Sequence, residues 1–365
     1  MKIVHVFWSL HFGGIETMLI NIANAQAKQN VDVHIVIIDD DNESIMLESF
    51  SKNVVVHLLN RAKGSKSINF IFRFNRLLSQ IKPEVIHLHD TKFYGMLWSK
   101  KLSRVASVTL HALPTGSVRR RGILYRLFPI LNLKANGIVV FIDKIPKVFA
   151  ISDAVKKALW EDYHVKSIVI TNGIVVDDFK MRGDNCPGSR IKILQVSRLE
   201  HAKKGQDLLI EAAIRLKGEV DVTFIGDGIS YDYLDTLIKN NNADEYIHLL
   251  GKRTQSYLKD NLCKYDLFIQ PSRWEGFGLT VAEAMASKLP VLVSSGQGPS
   301  EITQGERYGW IFKNGNAVDL ADKIKWIKDN YNEAINKAHI AQNYVMHTFD
   351  ISDTAKKYLD AYLKS

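Results

Sequence analysis

The sequence predicts an α/β protein of two Rossmann-like, doubly wound domains, each built on a parallel sheet. Three observations carry this. Short runs rich in Val and Ile recur along the chain, nearly continuous in apolar residues, as strands covered on both faces require. Between them lie stretches whose apolar residues fall at helical spacing. The alternation stops at residues 180–190, where Gly, Pro and charge mix in a way that reads as a linker, and then restarts. A chain of 365 residues is long enough for two separate cores.

Residues 3–8, 32–38, 54–58, 84–88, 105–110, 148–151 and 167–170 read as strands. The segment 16–29, between the first two, has apolar residues at helical spacing and no breaker. These elements assign 1–179 to an N-terminal domain. After the linker, strands are expected at 191–197, 221–225, 246–249, 267–270 and 290–294, with helices at 206–216 and 280–287. They assign 191–344 to a C-terminal domain. The tail, 345–365, reads as a helix expected to pack back on the N-terminal domain. The two sheets are expected to face each other across a cleft, with ligands held in loops that follow the carboxyl ends of the strands.

Composition narrows the class. Hydrophobic residues at 46% and charged ones at 24% exclude a disordered chain and a collagen-like repeat. Cys186 and Cys263 are too few for a disulfide framework and form no CxxC pair, which suits a reducing cytoplasm. The N-terminal apolar stretch is too short for a signal peptide, and nothing approaches the roughly 18 apolar residues of a membrane span. The net charge of +9 lies wholly in the first half. Within residues 51–150 there are 18 basic residues against 3 acidic ones, a surface suited to an anionic partner.

The segment Glu275-Gly276-Phe277-Gly278-Leu279-Thr280-Val281-Ala282-Glu283 follows a strand and opens a helix. Its glycines allow a tight turn, and the helix start offers free amides and a positive dipole end to an anion such as a diphosphate. Glu275 and Glu283 could then meet the two ends of an elongated ligand, each accepting from sugar or ribose hydroxyls. Upstream, Arg198 follows a strand and leads to Lys203-Lys204-Gly205, cations able to neutralise a leaving diphosphate. His111 also follows a strand, at the carboxyl end of its sheet. His87 and His89 are spaced like a metal pair, but no Cys or further His stands in clear register, so no metal site is expected. Asp39-Asp40-Asp41 reads as a solvated acidic loop. No GxSxG elbow, P-loop or three-glycine dinucleotide fingerprint occurs.

Taken with the two-domain pattern, these residues resemble glycosyltransferase family 4, retaining nucleotide-sugar-dependent enzymes of GT-B fold. The resemblance covers nearly the whole chain. It includes Phe12-Gly13-Gly14-Ile15-Glu16, Pro83-Glu84-Val85-Ile86-His87, Thr109-Leu110-His111, Ala150-Ile151-Ser152-Asp153, Thr171-Asn172-Gly173, the Glu-x7-Glu pattern at 275–283 and Gly298-Pro299-Ser300-Glu301. It implies that Gly13 and Gly14 close a loop over diphosphate and acceptor, and that Arg198 and Lys204 bind the diphosphate. Glu283 would hold the ribose, Glu275 would face the donor sugar, and amides around Gly276, Phe277, Gly278 and Leu279 would contact sugar and phosphate. His111 would lie beside the donor sugar. Five residues separate Arg198 from Lys204, where the family commonly has four; Gly205 favours Lys204 over Lys203 as the phosphate ligand.

The resemblance further implies a nucleotide-sugar donor, most simply a UDP-sugar, and no metal or other cofactor. The acceptor is expected to be a glycan or a lipid-linked saccharide of a bacterial surface polysaccharide or lipopolysaccharide. Basic, aromatic segments at 67–81 and 117–134 suggest contact with an anionic membrane, at the inner face of the cytoplasmic membrane. Nucleic acid is not expected, because the loops suit a sugar nucleotide. A nucleotide-sugar epimerase of the same fold and a non-catalytic membrane scaffold are the alternatives; the Glu-x7-Glu pattern argues against the first and the intact cations against the second.

Overall fold

The computed structural model describes residues 1–113 and 141–364. They divide into two units. The first holds Met1–Gly173 and the C-terminal segment from Ile351; the second holds Ile174–Asp350. The basic segment 117–134 lies outside the described residues.

In the first unit, seven strands form one parallel sheet: β1 (Lys2–Phe7), β2 (Asp32–Asp39), β3 (Val54–Arg61), β4 (Val85–Leu88), β5 (Ala106–Leu110), β6 (Lys147–Ala150) and β7 (Ile168–Val169). Their order is β3-β2-β1-β4-β5-β6-β7. The winding reverses between β1 and β4, the place where doubly wound sheets open a crevice beyond their carboxyl ends. Ile3, Val4 and Val6 of β1 are fully buried, which is why these strands are apolar on both faces. The helix Gly14–Lys28 follows β1 and buries Met18, Leu19, Ile22, Ala23 and Gln26.

The C-terminal helix Ile351–Leu363 packs against Gly14–Lys28. It buries Tyr358 and Tyr362, each worth about 2 kcal/mol or more in removed apolar area. Lys147 of β6 donates to the carbonyls of Ala361 and Tyr362 at 3.1 and 2.6 Å, so a cation satisfies the end of this helix.

The second unit carries β8 (Ile191–Val196), β9 (Val220–Ile225), β10 (Ile247–Leu249), β11 (Leu267–Gln270), β12 (Val291–Ser294) and β13 (Trp310–Phe312). All are parallel, in the order β10-β9-β8-β11-β12-β13, with the reversal between β8 and β11. The three residues of β13 form a strand that the sequence pattern did not reveal, because so short a run has no readable period.

The segment expected as a linker, 180–190, is fastened to this unit. Buried Arg182 donates to Tyr265 O at 2.9 Å and to Asp266 at 2.8 Å, and lies 5.1 Å over the Tyr331 ring. A guanidinium removed from water needs such partners, and here they hold the segment down. The chain therefore crosses between units after Gly173, ahead of the Gly- and Pro-containing stretch.

Candidate active site

The winding of the second sheet reverses between β8 and β11, and the loops after these two strands carry the residues singled out from the sequence. The loop after β8 brings Ser197 and Arg198, then a turn of helix at His201–Lys204. The loop after β11 runs through Pro271 to Gly278. The two loops are stitched together, since the amides of Arg273 and Trp274 donate to Lys203 O at 2.8 and 3.1 Å. Arg273 reaches back in a bidentate pair with Asp207, both contacts at 2.8 Å.

Gly205 lets the two loops approach closely. Its φ is +68°, and a Cβ there would stand 2.0 Å from Pro271 O. The packing leaves Lys204 Nζ 2.5 Å from Glu275 Oε2, both side chains largely shielded. Lys203 instead turns outward to Glu200. Gln195 Nε2 donates to Lys204 O at 3.1 Å and so fixes the backbone beneath the lysine. The Arg198 side chain is exposed and makes no hydrogen bond or ion pair among the described residues.

Glu275 is held from both sides, its amide donating to Gln297 Oε1 at 2.9 Å and its carbonyl accepting from the Gly298 amide at 3.0 Å. Gly278, with φ +96°, turns the chain into the helix Leu279–Ala286, and a Cβ there would press on Pro299 at 2.8 Å. Phe277 is buried and packs edge-on against Phe349. The first amides of the helix have no acceptor within it and carry its positive end. Glu283 lies one turn in, almost fully buried, accepting from Gln255 at 2.7 Å. Burial pushes its carboxyl up to about 7, against the opposing pull of Gln255 and Lys259.

Three other predicted residues lie in the first unit. Gly13 is the extended residue ahead of the Gly14–Lys28 helix, which begins at Gly14, and its carbonyl accepts from Thr17 at 3.0 Å. His111 follows β5, its Nε2 2.9 Å from His89 Nδ1 and its own Nδ1 shielded and unpartnered. Burial pushes the His111 ring down to about 3. The acidic triplet is tied to cations, Asp39 to Arg61 at 2.8 Å and Asp41 to Lys63 at 2.5 Å.

Residues 12–178 match the model for glycosyltransferase family 4, and residues 177–344 match that for glycosyl transferases group 1. The chain is a glycosyltransferase of GT-B type. This glycosyltransferase is 26% identical over 329 residues to an uncharacterized glycosyltransferase of Methanocaldococcus jannaschii, covering 88% of this chain and 86% of that one. It is 32% identical over 158 residues to an amylovoran biosynthesis glycosyltransferase of Erwinia amylovora, covering 41% of this chain and only 39% of that protein. A crystal structure of HepE from Anabaena, in complex with UDP and glucose, shares its fold with a TM-score of 0.80 at 19% identity, over 99% of both chains.

Several residues that support the candidate site escaped the sequence reading. Gln195, Gln255, Gln297 and the Arg273–Asp207 pair work through tertiary contacts that no local spacing announces. His5 is the clearest case. From β1 it supplies the third histidine that the pair His87 and His89 was thought to lack, and the three could in principle hold a metal ion, with ligand atoms within 4.8 Å of one another. Their ring nitrogens are already engaged: His5 with Gln26 and His89, His87 with Tyr362 and Thr109, His89 with His5 and His111.

Proposed function

We propose that the protein is a retaining, metal-independent glycosyltransferase. It moves a hexose or N-acetylhexosamine from a UDP-sugar to a hydroxyl of a glycan or lipid-linked saccharide in cell-surface polysaccharide biosynthesis. The second unit takes the donor and the first takes the acceptor. One observation carries the reading: Lys204 pairs with Glu275, just ahead of a helix N-terminus, where the second sheet reverses its winding, and Arg198 stands in the adjoining loop after β8. Two cations and a dipole supply the positive charge a departing diphosphate requires. A relative in amylovoran biosynthesis supports the polysaccharide setting, and a neighbour of the same fold in complex with UDP and glucose supports the donor.

In the proposed reaction the bond from the anomeric carbon to the diphosphate breaks while Arg198, Lys204 and the first amides of Leu279–Ala286 take up the growing charge. The acceptor hydroxyl forms its bond to the same carbon from the same face, and its proton passes to the departing phosphate oxygen. Glu275 faces the donor sugar and keeps Lys204 extended before the donor arrives. Glu283 accepts from ribose hydroxyls, and His111 lies beside the donor sugar. Gly13 and Gly14 let the loop after β1 approach diphosphate and acceptor.

The anionic partner is a membrane surface at the inner face of the cytoplasmic membrane. Among the described residues no helix is long and apolar enough to cross a bilayer. The helix Asn69–Ile81 turns Phe70, Ile71, Phe74 and Leu78 inward, so most of the apolar stretch at 67–81 is core. Phe72 and Trp98 remain exposed, their rings 4.6 Å apart edge to face, with exposed Arg73, Arg76, Lys100 and Lys101 nearby in sequence. Aromatic rings flanked by cations suit the headgroup region of an anionic bilayer.

The test is turnover. Incubation with UDP-glucose and UDP-N-acetylglucosamine, each with soluble or lipid-linked saccharide acceptors and EDTA, should release UDP and yield an α-linked product by proton NMR. A β-linked product, or transfer that requires a divalent ion, would overturn the retaining, metal-free reading.

A further inference from the structure

The face of the first sheet covered by the helices Gly14–Lys28 and Ile351–Leu363 is not apolar throughout. His5 of β1 stands in register with His87 of β4, and His87 with Ser107 of β5. Side chains two residues apart share a face of a sheet, so His89, Thr109 and His111 continue the same polar seam. His87 leaves it sideways, its nitrogens bonded to Tyr362 and, at 2.8 Å, to Thr109, which in turn meets Tyr358 at 2.9 Å. The other three histidines form an unbranched line.

That line has a direction. His5 Nε2 lies 2.8 Å from Gln26 Oε1, and with the amide in this orientation its oxygen can only accept, so this nitrogen carries the ring proton. A neutral His5 then has a bare Nδ1, which accepts from His89 Nε2 at 3.1 Å. His89 Nδ1 is bare in turn and accepts from His111 Nε2 at 2.9 Å. The last nitrogen, His111 Nδ1, is left with a lone pair, no partner among the described residues and no solvent contact. The rings are neutral because burial pushes His5 down to about 4, His111 down to about 3 and His89 well below its ordinary range. The groups that act on them are each other, His87 and the Gln26 amide; no carboxylate or cation does so among the described residues.

We propose that Gln26, His5 and His89 are positioning residues that lock His111 in its Nε2–H tautomer and present its bare Nδ1 as an acceptor for a ligand hydroxyl. The proposal rests on the reading of His111 as a site residue and adds what orients it. A shielded lone pair with no donor is costly, and the residue as a whole is only half-buried, so a small shift of the ring that opens Nδ1 lets an incoming hydroxyl supply the missing bond. Gln26, in the last turn of the helix after β1, thereby decides which nitrogen of His111 is protonated.

Long-range nitrogen–proton NMR on the full chain carrying ¹⁵N-histidine reads this directly. His111 should show a protonated Nε2 and a pyridine-like Nδ1, unchanged from about pH 5 to 8. Gln26→Leu should yield a mixture of tautomers and lower kcat on the order of 10-fold, with UDP affinity within about 2-fold. Gln26→Glu keeps an acceptor oxygen and should restore the single tautomer. A protonated Nδ1 in the wild-type spectrum, an unchanged tautomer in Gln26→Leu, or stoichiometric zinc in the purified protein that is lost in His5→Phe would each overturn the proposal. Should the variants fail to fold, the wild-type spectrum alone decides. A locked tautomer together with a fully active His111→Ala would instead remove His111 from the reaction and so contradict the ligand end of the proposal.

Discussion

Lys204 Nζ lies 2.5 Å from Glu275 Oε2, and the contact joins the loops that follow β8 and β11. The pair is mostly shielded from water, and each partner holds the other extended. It lies at the winding reversal of the second sheet, beside the loop that carries Arg198.

The first prediction concerns this pair. Lys204→Ala removes the proposed phosphate ligand and leaves Glu275 without its counter-ion, so UDP affinity should fall by about 2 kcal/mol, some 30-fold. Glu275→Gln should lower kcat more than it raises the donor KM, because it spares the cation. Equal UDP affinity for wild type and Lys204→Ala, measured by calorimetry, is the contrary result.

Glu283 makes stability and binding depend on pH. Its folded carboxyl is raised from 4.5 to about 7, so the folded chain holds a proton that the unfolded chain has lost. Stability from this group is full below about pH 4.5 and is lost as pH rises through 7, by about 3 kcal/mol. Glu283→Gln should flatten that slope in urea unfolding of the second unit. Ribose hydroxyls favour the carboxylate, so UDP binding at pH 6 should release a proton, visible as a buffer-dependent binding enthalpy.

The buried histidines act in the opposite direction. His5 and His111 are lowered from 6.5 to about 4 and about 3, so their contribution is present above pH 6.5 and fades as pH falls through those values. The first unit should therefore lose protection against hydrogen exchange between pH 6.5 and 4, ahead of the second. Simultaneous loss in both units would count against buried neutral rings.

Two glycines hold the loop geometry. Gly205→Ala forces a Cβ against Pro271 O, and Gly278→Ala sets a side chain at φ +96° against Pro299. Each should cost about 1–3 kcal/mol and weaken UDP binding more than 10-fold, as read by thermal unfolding and calorimetry.

Membrane contact is checked by co-sedimentation. The full chain should bind anionic phosphatidylglycerol vesicles but not neutral ones, less so in high salt, and Phe72→Ser with Trp98→Ser should release it while UDP binding persists. Binding that survives both changes would move the contact elsewhere.

Much of the fold was legible because parallel strands buried on both faces are mostly apolar, as in β1, β11 and β12, where His5, Gln270 and Ser294 are the buried polar exceptions. β13 escaped because three residues have no readable period. The stretch 180–190 misled because its Gly, Pro and charge signal flexibility locally, while Arg182 is pinned by Asp266 and Tyr265 far along the chain. The turn into the helix Leu279–Ala286 could be read because a glycine pair before a helix is a local signal. The chain from Gln26 to His111 could not, since it assembles from one helix and three strands whose adjacency only the sheet order creates.

The most direct test of the central claim is calorimetric titration of UDP into the wild-type chain in EDTA, beside Arg198→Ala and Lys204→Ala. The account predicts one UDP per chain without metal, weakened at least 10-fold by either change. No binding by folded wild type in EDTA, or binding that both variants retain, would contradict a donor site built from these cations and the Gly278 helix start.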